Sequence, residues 1–169
     1  MTPDKIKYSI QNKRLQIGFL DQATHYSVAV AFGLVAITVL YLFIQNFLAN
    51  QTFSFQRVFE LVIFIGFSIL SYSTYIVQRN RLDLEELPIN FSSKEFKNRL
   101  EKLARINNWE FISFEKLIVI SKFKEKTIIL FDNQNFFVTS IFDPDSFGFL
   151  IRIFQKPKLL SIIKNESRR

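Results

Sequence analysis

The sequence predicts an α+β membrane protein, in which a two-helix transmembrane hairpin accompanies a small cytoplasmic domain with a mostly antiparallel sheet and two helices. Three observations carry that prediction. Two long apolar runs, Val28–Leu48 and Val58–Val77, lie close together along the chain. A strongly amphipathic segment, Ser93–Asn107, follows them. Four short β-like runs separated by turn residues come next.

The first apolar run carries no charge along its whole length, about 30 Å of helix, which matches one hydrocarbon core. The second carries one acid, Glu60, near the connecting loop, where it reaches headgroups or water. At the midplane a charge costs about 2.5–3.5 kcal/mol. Soluble core helices rarely run this far without a polar face. Residues 1–27 are largely polar, unlike the short basic leader of a signal peptide. Residues 1–27 hold Lys5, Lys7, Lys13 and Arg14, the loop holds only Arg57, and residues 78–169 hold the other basic residues, with Arg79 and Arg81 directly after the second run. The positive-inside rule therefore puts both termini in the cytoplasm, with the bacterial inner membrane as the expected location.

The net charge of +7 invites a nucleic-acid reading. The basic residues are interspersed with acids rather than clustered, and orientation accounts for their excess, so no nucleic-acid partner is expected. There is no cysteine, which excludes disulfides, thiolate metal sites and cysteine nucleophiles. The 21 phenylalanines, with many Ile, Lys and Asn, have the composition of an AT-rich bacterial genome.

Taken in order, residues 1–20 alternate Ile6, Tyr8, Ile10 and then Leu15, Ile17, Phe19 around a polar break. That pattern predicts a β-hairpin, which needs a partner surface and finds one in the cytoplasmic sheet. In residues 28–77 the small residues Ala29, Gly33 and Ala36 face Ser71, Ser73 and Thr74 at matching depth, as close helix packing requires. The polar end Ser71–Tyr75 also admits a permeation or lipid site, but two helices cannot enclose a pore. Residues 78–90, with Pro88, read as an extended linker.

Residues 91–169 form the cytoplasmic α+β domain. Its first helix starts at a Ser92/Glu95 capping box and shows Phe96, Leu100, Leu103 and Ala104 as one stripe. Strands are expected at Trp109–Glu115, Leu117–Lys124, Thr127–Asp132 and Phe136–Phe142, with a turn at Asp132–Asn135. Leu117–Lys124 reads as half exposed. Phe147–Phe154 is either a fifth strand or irregular, and Pro157 opens a last helix.

Chemistry-bearing residues are sparse. Asp143 and Asp145 share a turn and are the best candidate metal ligands, for Mg²⁺ or Ca²⁺, ahead of the acidic cluster Asp83, Glu85 and Glu86, which reads as solvated linker. Glu95-Phe96-Lys97 has a nuclease-like spacing, but it opens a helix where that chemistry needs a strand. His25 is the sole histidine and falls at the membrane boundary. Four glycines leave no phosphate cradle. No catalytic residue and no cofactor are assigned.

The order of elements, with Asn108-Trp109-Glu110 after a helix and Ser140-Ile141-Phe142-Asp143-Pro144 leading toward a terminal helix, resembles a class of small, uncharacterised two-span bacterial membrane proteins seen in Bacteroidota. In overall layout it also resembles YcxB-like proteins. The resemblance implies fold and location and brings no activity. Two functions follow as expectations. One is a non-enzymatic inner-membrane protein whose cytoplasmic domain binds a partner protein, a lipid headgroup or its own copy, with the bilayer as its constant partner. The alternative is a membrane-bound enzyme acting on a lipid or nucleotide at the cytoplasmic face through Asp143/Asp145.

Overall fold

The computed structural model describes residues 1–49, 55–89, 92–123, 125–132, 135–142 and 157–168. Two expected features, the Asp143/Asp145 pair and Phe147–Phe154, lie outside the described residues, as does the centre of the Asp132–Asn135 turn. The described residues form an α+β chain of five helices and one antiparallel five-stranded sheet. They divide into two compact units. One is Phe19–Gln78; the other joins Met1–Gly18 to Arg79–Arg169.

The Phe19–Gln78 unit is a helix pair, α2 (Phe19–Ala49) and α3, which runs Phe55–Asn80 and so extends two residues into the other unit. Each is long and apolar enough to cross a membrane. Only 11% of the apolar window of α2 and 6% of that of α3 is buried in the protein. Leu34, Ile37, Leu48, Phe59, Val62 and Ile69 all face outward. A soluble core helix would bury such side chains, since a buried Leu or Phe gains about 1.5–3 kcal/mol. α2 also starts well before Val28. Nothing from Phe19 to Ser27 breaks a helix, and Asp21 favours the first turn.

The second unit is built on the sheet. Its strands are β1 (Glu85–Leu87), β2 (Glu110–Ser113), β3 (Leu117–Lys122), β4 (Glu125–Asp132) and β5 (Asn135–Phe142), in the order β1-β5-β4-β3-β2. β-Branched and aromatic residues dominate β3 to β5, as pleated packing favours. α4 (Ser93–Ile106) and α5 (Lys158–Ser167) cover one face. Phe96, Leu100 and Ala104 from α4 and Leu159 and Ile163 from α5 meet Ile118, Ile120, Ile129, Phe136 and Val138 of the sheet. Phe96 and Phe136 pack edge to face at 5.1 Å, and Trp109 joins the same core. Ser92 Oγ accepts from the Glu95 N–H at 3.3 Å, and Asn108, at φ 54°, closes α4 in the left-handed conformation that Asn tolerates.

Three expectations are corrected here. Residues 1–20 form no β-hairpin: Pro3–Gln11 is a helix, α1. Ile6 and Ile10 are four apart and share a helical face as readily as a strand face, and Pro3 in the first turn with Asp4 beside it supplies the start signal. Residues 78–90 are not a plain linker. Leu82, Leu84 and Leu87 are buried, and Glu85–Leu87 pairs with Val138–Phe136 as an edge strand. Glu85 and Glu86 stay exposed and Pro88 ends it, as suits a sheet edge. β3 is not half exposed: residues of both its faces are buried, because α1 lies against β4 on the side away from α4 and α5.

Candidate functional site: the helix seam and the root of the hairpin

Within the helix pair, the small residues make a seam. Ala29 and Ala36 are buried, and Ser71 Oγ donates to Ala29 O at 2.8 Å. A Cβ on Gly33 would meet Ser71 Oγ at 3.3 Å, so glycine permits the close approach there. Ser73 is half-buried and is not among the residues lining the crevice beside this seam, whereas Gly33, Ser68 and Ser71 are. Toward the non-loop end, Gln78 Nε2 donates to His25 O, and His25 Nε2 lies 2.8 Å from Gln78 O. This reciprocal pair makes His25 a tie between the helices, and it leaves Gln78 Oε1 buried without a partner. At the loop end Arg57 Nη2 donates to Asn46 O at 3.0 Å and its guanidinium lies 5.4 Å from the Phe47 ring centroid. Glu60 accepts from Asn46 and Gln56, which explains how the one acid of the second run is accommodated.

In the sheet-bearing unit, the chain segments that lead to and from the helix pair are strapped together. Leu15 N donates to Leu82 O at 2.7 Å, Leu84 N donates to Lys13 O at 2.8 Å, and Arg14 sits opposite Asp83 in an antiparallel bridge. Lys13, at φ 49°, ends α1 in the left-handed region and turns the chain into this strap. Immediately beyond it Arg81 stacks on the Phe142 ring at 4.2 Å, and Thr139 Oγ1 donates to Arg81 O. Burial pushes the Arg81 guanidinium down to about 10, while the Glu125 carboxylate holds it up. The group stays charged at neutral pH.

Glu125 is itself buried, and its Oε1 accepts from Leu159 N at 2.9 Å, from Leu160 N at 3.4 Å and from Ser140 Oγ at 3.2 Å. A carboxylate on the first N–H groups of α5 is a helix cap contributed from another strand. Local spacing holds no hint of it, because the cap lies far along the chain from the helix it serves. The Oε1 atom is thus spent on structure.

A groove of about 860 Å³ lies between α1 and the β2–β3 turn, lined by Ile6, Ile10, Phe114 and Leu117 with Lys7 and Asp132 at its polar side. Among the described residues no group of three or more His, Cys, Asp or Glu could hold a metal. Asp143 and Asp145 lie outside the described residues, so the structure places neither. The Glu95–Lys97 string sits on α4, where Glu95 pairs with Arg99 at 2.8 Å. Compared with protein-family models, with curated proteins and with solved structures, the chain finds no match.

Proposed function

We propose that this chain is a two-span protein of the bacterial inner membrane, with both termini in the cytoplasm, and that its α+β domain works by binding rather than by catalysis. The partner on this reading is another protein, the lipid headgroups or a second copy of the chain. Membership of the two-span bacterial class resembled above is part of the same proposal. One observation carries it: only 11% of the apolar window of α2 and 6% of that of α3 is buried in the protein. A bilayer is the solvent that removes the penalty for that exposure. The strap supports an even number of crossings. Leu15 and Leu82 are hydrogen-bonded to one another, so the segments before α2 and after α3 belong on one side of the bilayer. The bias of Lys and Arg supports the cytoplasmic side.

The test has two parts. A reporter active only in the cytoplasm, fused after Arg169, is expected to be active; a periplasmic signal refutes the orientation. Crosslinking in intact membranes is expected to trap a protein partner, a lipid or a dimer, and recovery of bare monomer alone refutes the binding role.

A further inference from the structure

The two edges of the sheet are finished differently. β1 carries two exposed acids, Glu85 and Glu86, is followed by Pro88, and has Glu85 paired with Lys164. Charge and proline are the usual guards of a strand edge. β2, at the other edge, has Glu110 as its only charge and no proline. Ile112 on it is 48% exposed, and Phe114, directly after it, is 61% exposed. Phe111 packs against the core that α4 covers, so Ile112 and Phe114 lie on the opposite face of the sheet.

The hydrogen bonds fix which groups this edge offers. Phe114 N donates to Leu117 O at 2.8 Å, so residue 114 directs its backbone polar groups at β3. Antiparallel ladders alternate. Glu110 and Ile112 therefore do the same, and Phe111 and Ser113 turn their N–H and C=O groups outward. The other side of β3 agrees: Phe131 N donates to Lys116 O, which sets Ile118 toward β4 and Leu117 and Val119 toward β2. Among the described residues no strand pairs with the outward groups of β2.

Two such edges complement one another in one register. A second copy related by a two-fold axis through Ile112 sets Phe111 against Ser113 of that copy, and Ser113 against its Phe111. All the outward groups of both strands are then bonded. An axis through Phe111 sets Ser113 against Trp109, whose N–H already donates to Ala104 O at 2.9 Å. An axis through Ser113 sets Phe111 against Glu115, in the turn beyond the strand. Charge favours the Ile112 axis as well. Glu110 falls opposite Phe114 of the copy, about 13 Å along the strand from the other Glu110.

We propose that β2 is a self-association edge, at which two copies of the chain pair antiparallel about Ile112 and join their sheets into one. This names the partner that the binding reading of the domain leaves open, and rests on that reading. Ile112 and Phe114 together expose on the order of 200 Å² per copy, against roughly 800 Å² per partner in a stable interface. The pairing is therefore weak in dilute solution and depends on the local concentration that confinement to one bilayer supplies.

The chain has no cysteine, so introduced cysteines report without background. Full-length Ile112→Cys, Phe114→Cys and the double variant Glu110→Cys with Phe114→Cys are oxidised in native membranes, and the products are identified by mass. Residue 112 meets its own copy at a Cα separation of about 4.5 Å, within disulfide reach, whereas residue 114 lies about 13 Å from its own. Dimer formation by Ile112→Cys is expected to run roughly tenfold ahead of Phe114→Cys, and the double variant to match Ile112→Cys. Ser113→Pro removes an outward N–H where an edge strand tolerates proline. Added to Ile112→Cys, it is expected to abolish the dimer and leave Trp109-reported unfolding unchanged. Should it fail to fold, the cysteine pattern decides by itself. Equal yields at 112 and 114 overturn the pairing, as does a dimer that persists in folded Ser113→Pro. An adduct of Ile112→Cys with a different protein overturns the second copy and leaves the binding reading standing. Monomer alone at 112 overturns the pairing, and the binding reading falls with it only if the unsubstituted chain also crosslinks to nothing.

Discussion

Replacing Glu125 with alanine removes one buried oxygen on which three donors converge. Leu159 N and Leu160 N lose their acceptor at the start of α5, and Ser140 Oγ loses its partner. Loss of a cap costs about 1 kcal/mol. The larger effect is on Arg81, whose guanidinium is lowered by burial to about 10 and held up by Glu125. Removing the partner of a fully buried charge costs about 3–5 kcal/mol, and Arg81 is only partly buried, so solvent screening reduces that share to about 1–2 kcal/mol. Together the loss is about 2–3 kcal/mol, a large part of the roughly 5–15 kcal/mol available to a domain. Glu125→Gln keeps an acceptor for α5 and gives up the charge, so about half that loss is expected.

The sole tryptophan lies in the core of the same unit, so denaturant unfolding of the full chain in mild detergent, followed by Trp109 emission, reads this unit directly. A double-mutant cycle with Arg81→Met isolates the pair: with the charge gone as well, Glu125→Ala is expected to cost only its cap and hydroxyl share. A Glu125→Ala change no more costly than Glu115→Ala, at the exposed turn, refutes the reasoning. Additivity in the cycle refutes the Arg81 part alone.

Ile6→Ala, in α1, is expected to destabilise the same Trp109-reported transition by about 2 kcal/mol, because Ile6 is buried within the sheet-bearing unit; an unchanged midpoint would detach α1 from that unit. In the helix pair, Gly33→Leu is expected to weaken association of α2 with α3 in a detergent titration, whereas Gly66→Ala, with open space around it, is expected to be neutral; equal effects would mean the seam does not run through Gly33. Titration of the full chain with Mg²⁺ or Ca²⁺ is expected to show no saturable binding, and a saturable isotherm abolished by Asp143→Asn with Asp145→Asn would give those acids a ligand role.

The helix pair was legible because its signal is cumulative: dozens of apolar residues with a single charge, Glu60, admit few other readings. α4 and β2 to β5 were legible to within a few residues because caps, i,i+4 pairs and period-two alternation all agree there. α1 was misread because Ile6, Tyr8 and Ile10 satisfy both periods, and only Tyr8, exposed on the far side of the helix, tells them apart. β1 was hidden by its acids: Glu85 and Glu86 look like a solvated linker until the leucines around them are seen to be buried. The Glu125 cap was beyond reach, since its partners are N–H groups more than thirty residues away. The small residues of the seam were visible as types, yet the Ser71 to Ala29 bond depends on helix phase, which composition does not encode.

The two halves of the sheet-bearing unit are separated in sequence by about 60 residues, and closing a flexible loop of that length costs roughly 3.6 kcal/mol beyond a constant. The strap alone, two backbone hydrogen bonds between short extended segments, would hardly offset that in water. The helix pair removes most of the cost. The reciprocal His25–Gln78 bonds hold the ends of α2 and α3 together, so the chain on either side of them arrives already side by side. α1 then docks as if it were local. A small domain interrupted by a long apolar insertion is therefore economical when the insertion is a rigid antiparallel pair and untenable when it is a loose one. On this logic the hairpin is part of the domain's own folding mechanism as well as its attachment. Anything that splays α2 from α3 near His25 should release α1 before it disturbs α4, α5 or the sheet they cover.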